Sequence, residues 1–294
     1  METVKLKPIV TLAQSRRAPV PTQFVKADGI EIAYRVMGEA APGTPPLVFC
    51  NRFRGTMDEW DPAFLEALAP SRQLILFDYP GVASSTGSTP PDAEGIARAT
   101  AAFIRALGLE HVDLIAFSMG GYVVQVLALL EPELVRRCIL CGASCFGGPG
   151  SRPPESIFFE TATKPEWDAE DKVILFYADA PDSRRRGMAA EGRIEAQLRT
   201  GGEPKVTDES WHRLLAAIET AAKPDNAWHS RMKEIEQPFL IIGGDCDPCY
   251  PLENQVLLYR GIPNSRLAIL PMSGHAPQHQ FPLSCADFVH DFLG

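Results

Sequence analysis

The chain has 294 residues, 45% of them apolar and 22% charged, with a formal net charge of −9. These are values of an ordinary folded protein, which exclude disorder and fibrous repeats, and the acidic balance argues against broad binding to nucleic-acid phosphates. No apolar run nears the roughly 20 residues that cross a bilayer, and the N-terminus, with Glu2, Lys5 and Lys7, lacks a signal peptide's apolar region, so a cytoplasmic protein with no membrane partner is expected.

In chain order, "FVKADGIEIAYRVMG" alternates around Asp28-Gly29, the strongest short signal for a β-hairpin. Short, continuously apolar runs follow at 46–50, 73–78, 112–117, 137–142, 239–244 and 266–271. Such runs predict strands buried on both faces, as in a parallel sheet covered by helices. Helical patterns lie between them at about 61–69, 92–107, 119–131, 251–260 and 283–292. Alternation of this kind predicts a doubly wound α/β sheet. The rhythm breaks between Gly147 and Gln237, where a glycine- and proline-rich start leads into a charged, mainly helical stretch carrying Phe158, Phe159, Trp167, Phe176, Tyr177, Trp211 and Trp228. We read residues 147–232 as a helical cap inserted in a core formed by 1–146 and 233–294, with most of its aromatics in the cap's own core and one or two facing a ligand.

The seven cysteines, an odd number with no secretory signal, are expected as reduced thiols. Cys138/Cys141 and Cys246/Cys249 have CxxC spacing. The first pair falls in a buried-strand pattern and Pro248 interrupts the second, so packing is preferred to zinc or redox chemistry. Arg184, Arg185 and Arg186 form a short isolated run, read as a solvated helix face.

Ligands of open parallel sheets bind beyond the carboxyl ends of the strands, and there the chemistry gathers. "DLIAFSMGGY" has the outline of a strand, a sharp turn and a helix, with Ser118 on the turn between small residues, although Ala116 stands where the usual pattern has its first glycine. The plainer alternative is a serine that caps the following helix. A nucleophile requires an acid and a histidine on later loops. "DCDPCYP" offers Asp245 and Asp247, "MSGHAPQHQFP" offers His275 and His279, and the loop after 137–142 supplies no competing acid. Asp247 is preferred because it lies further beyond the strand and precedes Pro248, and His275 because Gly274 permits a close approach. A serine hydroxyl needs an imidazole to take its proton and a carboxylate to hold that imidazole, which are the roles of Ser118, His275 and Asp247 in this reading.

With "AFSMGG", "GGDCDP", "SGHAP" and the turn "FDYPGVASSTG", the chain resembles an α/β-hydrolase-fold serine hydrolase with a helical cap, similar to small bacterial esterases, lactonases and carbon–carbon bond hydrolases, from about residue 22 onward. The resemblance implies an α/β-hydrolase fold, no cofactor or metal, and a small-molecule substrate; a homodimer is left open. It also implies an oxyanion hole from the backbone N–H groups of Phe53 and Met119. One motif departs from the family: Asn51 and Arg52 replace the usual His-Gly after the strand "PLVFC". Asn51 is read as a support for the loop and, with Arg52 and Arg54, as a candidate substrate-binding residue. Arg52 and Arg54 either bind a substrate oxyanion or pair structurally with Asp58, Glu59 or Asp61.

The expected activity is cleavage of a small carboxylic ester or lactone through an acyl-serine. Alternatives are carbon–carbon cleavage of a diketone or ring-opened dienoate with the same triad, a cofactor-free haloperoxidase or perhydrolase reaction, and a non-catalytic small-molecule binding protein on the same fold.

Overall fold

The computed structural model describes residues 20–39, 41–201, 206–223 and 227–294; Glu2, Lys5 and Lys7, which carry the reading of the N-terminus, lie outside them. Strand β1 (Gln23–Ala27) turns through Asp28 and Gly29 into β2 (Ile30–Met37). Both turn residues have positive φ, +49° and +83°, the requirement of a type I′ turn whose twist matches an antiparallel pair.

The apolar runs become β3 (Leu47–Cys50), β4 (Leu74–Phe77), β5 (Val112–Phe117), β6 (Val135–Cys141), β7 (Phe239–Gly244) and β8 (Ser265–Leu270). Among the described residues they form one eight-stranded sheet in the order β1-β2-β4-β3-β5-β6-β7-β8. β2 is antiparallel to both β1 and β4, and the other neighbours are parallel. The order reverses around β3, whose two neighbours are β4 and β5, so the loops after β3 and β5 meet at the switch point where such sheets bind ligands.

Helices α1 (Pro62–Leu68), α2 (Ala93–Ala106) and α3 (Gly120–Leu130) begin a residue or so inside the predicted spans, because the first residue of a span is a cap rather than a helical residue. Asp61 accepts from Ala63 N (2.9 Å) and Asp92 from Gly95 N (2.7 Å), each satisfying an orphan amide of the first turn. β5 is buried throughout although it contains Asp113, whose carboxylate is met by Arg72 (3.0 Å) and Arg136 (2.5 and 2.8 Å).

Between β6 and β7 come α4 (Ser156–Ala162), α5 (Ala169–Phe176), α6 (Pro181–Gly201), α7 (Asp208–Ala222) and α8 (Ala227–Arg231). Buried Arg193 of α6 grips buried Asp61 with two bonds, Nε to Oδ1 at 2.8 Å and Nη2 to Oδ2 at 2.5 Å. This bidentate pair joins the insertion to the start of α1. The chain closes with α9 (Leu252–Gly261), α10 (Pro277–Gln280) and α11 (Pro282–Leu293). Among the described residues no helix is long and apolar enough to cross a membrane. Cys138 and Cys141 lie buried in β6, where desolvation raises both thiols; Cys246 is exposed and Cys249 buried.

Beyond β4, Asp78 is buried, with Oδ1 accepting from Met57 N (2.8 Å) and no protein partner for Oδ2. Burial first, and the charge of Asp58 after it, push this carboxyl up to about 7. A carboxyl raised in the fold contributes stability that is present below its unfolded pKa of about 4 and is lost as pH rises through 7. Wild type should therefore lose about 2 kcal/mol more than Asp78→Asn between pH 5 and 8, measured by urea unfolding at both pH values; parallel loss in the two proteins would refute the assignment.

Candidate active site

β5 runs straight into Ser118, which holds φ +55°, a left-handed conformation that costs a non-glycine residue of order 1–3 kcal/mol and persists where the surroundings enforce it. Here the amide of Ser118 donates to Cys141 O (3.0 Å) at the end of β6, and Ser118 O accepts from Gly121 N (2.8 Å). Gly120 is needed because a Cβ there would stand 2.5 Å from Cys50 O of β3. Ala116 lies within β5, paired with Cys50 and Leu140, so the departure from glycine falls on extended backbone that alanine adopts freely. The helix-capping alternative fails: α3 has Met119 at its N-cap and no side-chain cap bond.

The Ser118 hydroxyl meets His275 instead. Its Oγ lies 2.8 Å from His275 Nε2, and His275 Nδ1 lies 3.0 Å from Asp247 Oδ2. The three residues are 5%, 1% and 4% exposed. Asp247 is anchored through Oδ1, which accepts from Cys249 N and Tyr250 N, both at 2.8 Å. The imidazole is enclosed by the rings of Phe117, Phe158 and Tyr250 at 5.2, 5.6 and 5.3 Å, with Phe176 stacked at 6.4 Å. The close approach at Gly274 is real, since a Cβ there would stand 2.5 Å from the backbone of Tyr177. Three strand ends thus deliver a hydroxyl, an imidazole and a carboxylate in hydrogen-bonding sequence.

Ser118 lines a cavity of about 360 Å³ between the strand ends and the insertion, within the usual range for small-molecule sites. Phe53 forms part of the same wall, as do Phe158 and Phe159 of α4. Among the described residues, the N–H groups of Phe53 and Met119 donate to no protein acceptor.

A family model for the alpha/beta hydrolase fold matches residues 45–227. The chain belongs to the alpha/beta hydrolase fold family. It is 30% identical over 244 residues to a poly(3-hydroxyalkanoate) depolymerase of Ectopseudomonas oleovorans, covering 80% of each chain. It is also 27% identical over 237 residues to a 2-hydroxy-6-oxononadienedioate/2-hydroxy-6-oxononatrienedioate hydrolase of Pseudomonas putida, covering 77% of this chain and 78% of that one. A solved alpha/beta hydrolase fold protein from Chitinophaga pinensis superimposes with a TM-score of 0.84 at 28% identity, covering 93% of this chain and 97% of that one. The chain is an enzyme of this hydrolase family.

In this hydrolase the remaining candidates divide. Asn51 stays at the loop after β3: Nδ2 donates to Phe77 O (2.8 Å), and Oδ1 accepts from Trp60 Nε1 (2.9 Å). Arg52 does not line the Ser118 cavity; it is buried, donating to Glu59 (2.9 Å) and Phe53 O (2.8 Å), the structural pairing weighed as the alternative to substrate binding. Arg54 is likewise absent from the cavity wall. It donates to Lys164 O and Pro165 O (both 2.6 Å) and covers the faces of Trp167 (4.5 Å) and Trp211 (5.0 Å). Burial and the neighbouring Arg52 lower its pKa from the usual guanidinium range. Asp245 is exposed and accepts from Ser273 N (3.2 Å). His279 is buried against Trp60 and Phe117, neither ring nitrogen has a protein partner, and burial holds its pKa well below the ordinary value. Sequence reading missed Tyr122 and Tyr250, which line the cavity beside Ser118; "GGYVV" and "DPCYP" read locally as helix core and loop.

Proposed function

We propose that this enzyme is a serine hydrolase of neutral, largely apolar carboxylic esters or lactones. The observation that carries the reading is the continuous Ser118–His275–Asp247 hydrogen-bond chain at the wall of an apolar cavity. Ser118 Oγ attacks the scissile carbonyl carbon while His275 Nε2 takes its proton, and Asp247 holds the imidazole in the Nδ1–H tautomer and stabilises it when charged. The N–H groups of Phe53 and Met119 receive the oxyanion, each such donor being worth about 100- to 1000-fold in rate. As the tetrahedral adduct collapses, His275 returns the proton to the leaving alkoxide. Water then attacks the acyl-serine with His275 again as base and releases the acid. Residues 147–232 act as the cap over the site, and 1–146 with 233–294 as the core that carries the triad.

The named substrate of the Ectopseudomonas relative is a polyester, which supports ester cleavage. Likeness to the dienedioate hydrolase favours carbon–carbon cleavage as the second reading. Against it, the nearby cations Arg52 and Arg54 are committed to Glu59 and to backbone carbonyls and stand outside the cavity wall, and Arg152, which lines the wall, is paired with Glu253 (2.9 Å).

Treatment of the intact protein with a fluorophosphonate should give stoichiometric labelling of the peptide that contains Ser118, read by mass spectrometry. Folded protein that stays unlabelled would shift the reading to a non-catalytic binder on the same fold.

A further inference from the structure

Residues 52–55 close a tight turn after β3. Gly55 N donates to Arg52 O (3.0 Å), and of the two central residues Phe53 and Arg54 only Arg54 has positive φ, +53°, the pattern of a type II turn. That position suits glycine or asparagine, and an arginine stays there only where its surroundings enforce it.

The turn also sets the backbone that the mechanism uses. A peptide unit is planar and trans, so with Arg52 O drawn to Gly55 N, the Phe53 N–H of the same unit points the opposite way. Phe53 O, on the next unit, accepts from Arg52 Nη1 (2.8 Å). Both units flanking Phe53 are thus held by the closed turn.

What enforces the strained φ comes from the insertion. Arg54 Nη1 donates to Lys164 O and Nη2 to Pro165 O (both 2.6 Å), while the guanidinium lies over Trp167 (4.5 Å) and Trp211 (5.0 Å). The Phe53 ring packs on the same two indoles, at 6.5 and 6.2 Å. Without these contacts residue 54 would fall to negative φ, which turns over the unit between Phe53 and Arg54, takes Phe53 O off Arg52 and loosens the turn that aims Phe53 N–H.

We infer that Arg54 is a positioning residue for the oxyanion hole: by clasping the insertion it holds the turn in the form that presents Phe53 N–H to the developing oxyanion, so the hole is complete only when the insertion is seated. The inference rests on the serine-hydrolase reading above.

The test measures kcat and KM for p-nitrophenyl butyrate in wild type, Arg54→Ala and Arg54→Gly. The two variants lose the same anchors and differ in one respect, since glycine takes φ +53° freely and alanine does not. Arg54→Ala should lower kcat about tenfold with KM little changed, a part of the roughly 100- to 1000-fold that one oxyanion donor is worth, and Arg54→Gly should recover most of that loss. The inhibitor 1,1,1-trifluorooctan-2-one reads the oxyanion directly. Ser118 Oγ adds to its carbonyl carbon, the π pair moves onto oxygen, and His275 Nε2 takes the serine proton. Its Ki should rise about tenfold in Arg54→Ala and fall back in Arg54→Gly. Should Arg54→Ala not fold, Arg54→Val and Arg54→Asn repeat the comparison, because valine resists positive φ and asparagine accepts it. An unchanged kcat in Arg54→Ala overturns the assignment, and so do equal losses in the alanine and glycine variants, which would leave Arg54 a packing role alone. Wild type that does not turn over the ester overturns it as well, and fluorophosphonate labelling of Ser118 then tells whether the serine-hydrolase reading falls with it.

Discussion

Ser118→Ala should lower turnover by about a millionfold on any ester the wild type accepts, the loss seen when a triad nucleophile is removed. The size follows from geometry. With the Oγ gone, His275 Nε2 has no hydroxyl at 2.8 Å to deprotonate, and no acyl-enzyme forms. Alanine occupies the same φ of +55° with strain comparable to serine, so the fold is retained. Burst kinetics with a chromogenic ester, beside matching thermal unfolding curves, are the measurement. A variant that keeps its burst would remove Ser118 from the mechanism.

Asp247→Asn should cost about 10,000-fold, while Asp245→Asn should remain within a few-fold of wild type. The Oδ1 of Asp247 is bound by two amides at 2.8 Å, so an asparagine keeps its oxygen there and turns its NH₂ toward His275 Nδ1. That donor selects the tautomer with its proton on Nε2, where it can no longer accept from Ser118. Asp245 has no part in this chain: it is exposed and accepts from Ser273 N. Steady-state kcat/KM of the two variants decides between them, and the reverse ranking would transfer the acid's role to Asp245.

The strands were legible because burial on both faces leaves continuous apolar runs, and the loops that carry Ser118, Asp247 and His275 because the ends of such strands are where a parallel sheet exposes side chains. Asp113 shows the limit of that signal: a charge inside a buried run is explained by Arg72 and Arg136, neither adjacent in sequence. The arginines after β3 were ambiguous for the same reason. Nothing local to Arg54 indicates that its partners are Lys164 and Pro165, and nothing near Asp61 indicates Arg193, 132 residues away. Tyr122 and Tyr250 were hidden in patterns that read equally well as helix core and loop, and only the fold brings their rings together, 6.0 Å apart in the cavity wall.

The Arg193–Asp61 pair locks the insertion to the core at one edge. Drawing α6 away from α1 would strand two buried charges, a separation that costs roughly 3–5 kcal/mol and makes that edge a closed seam. Arg54, clasped between Trp167, Trp211 and two carbonyls, stitches a second point along it. The Ser118 cavity itself reaches solvent, where Arg152 and Glu219 meet water and Phe159, half exposed, forms part of its wall.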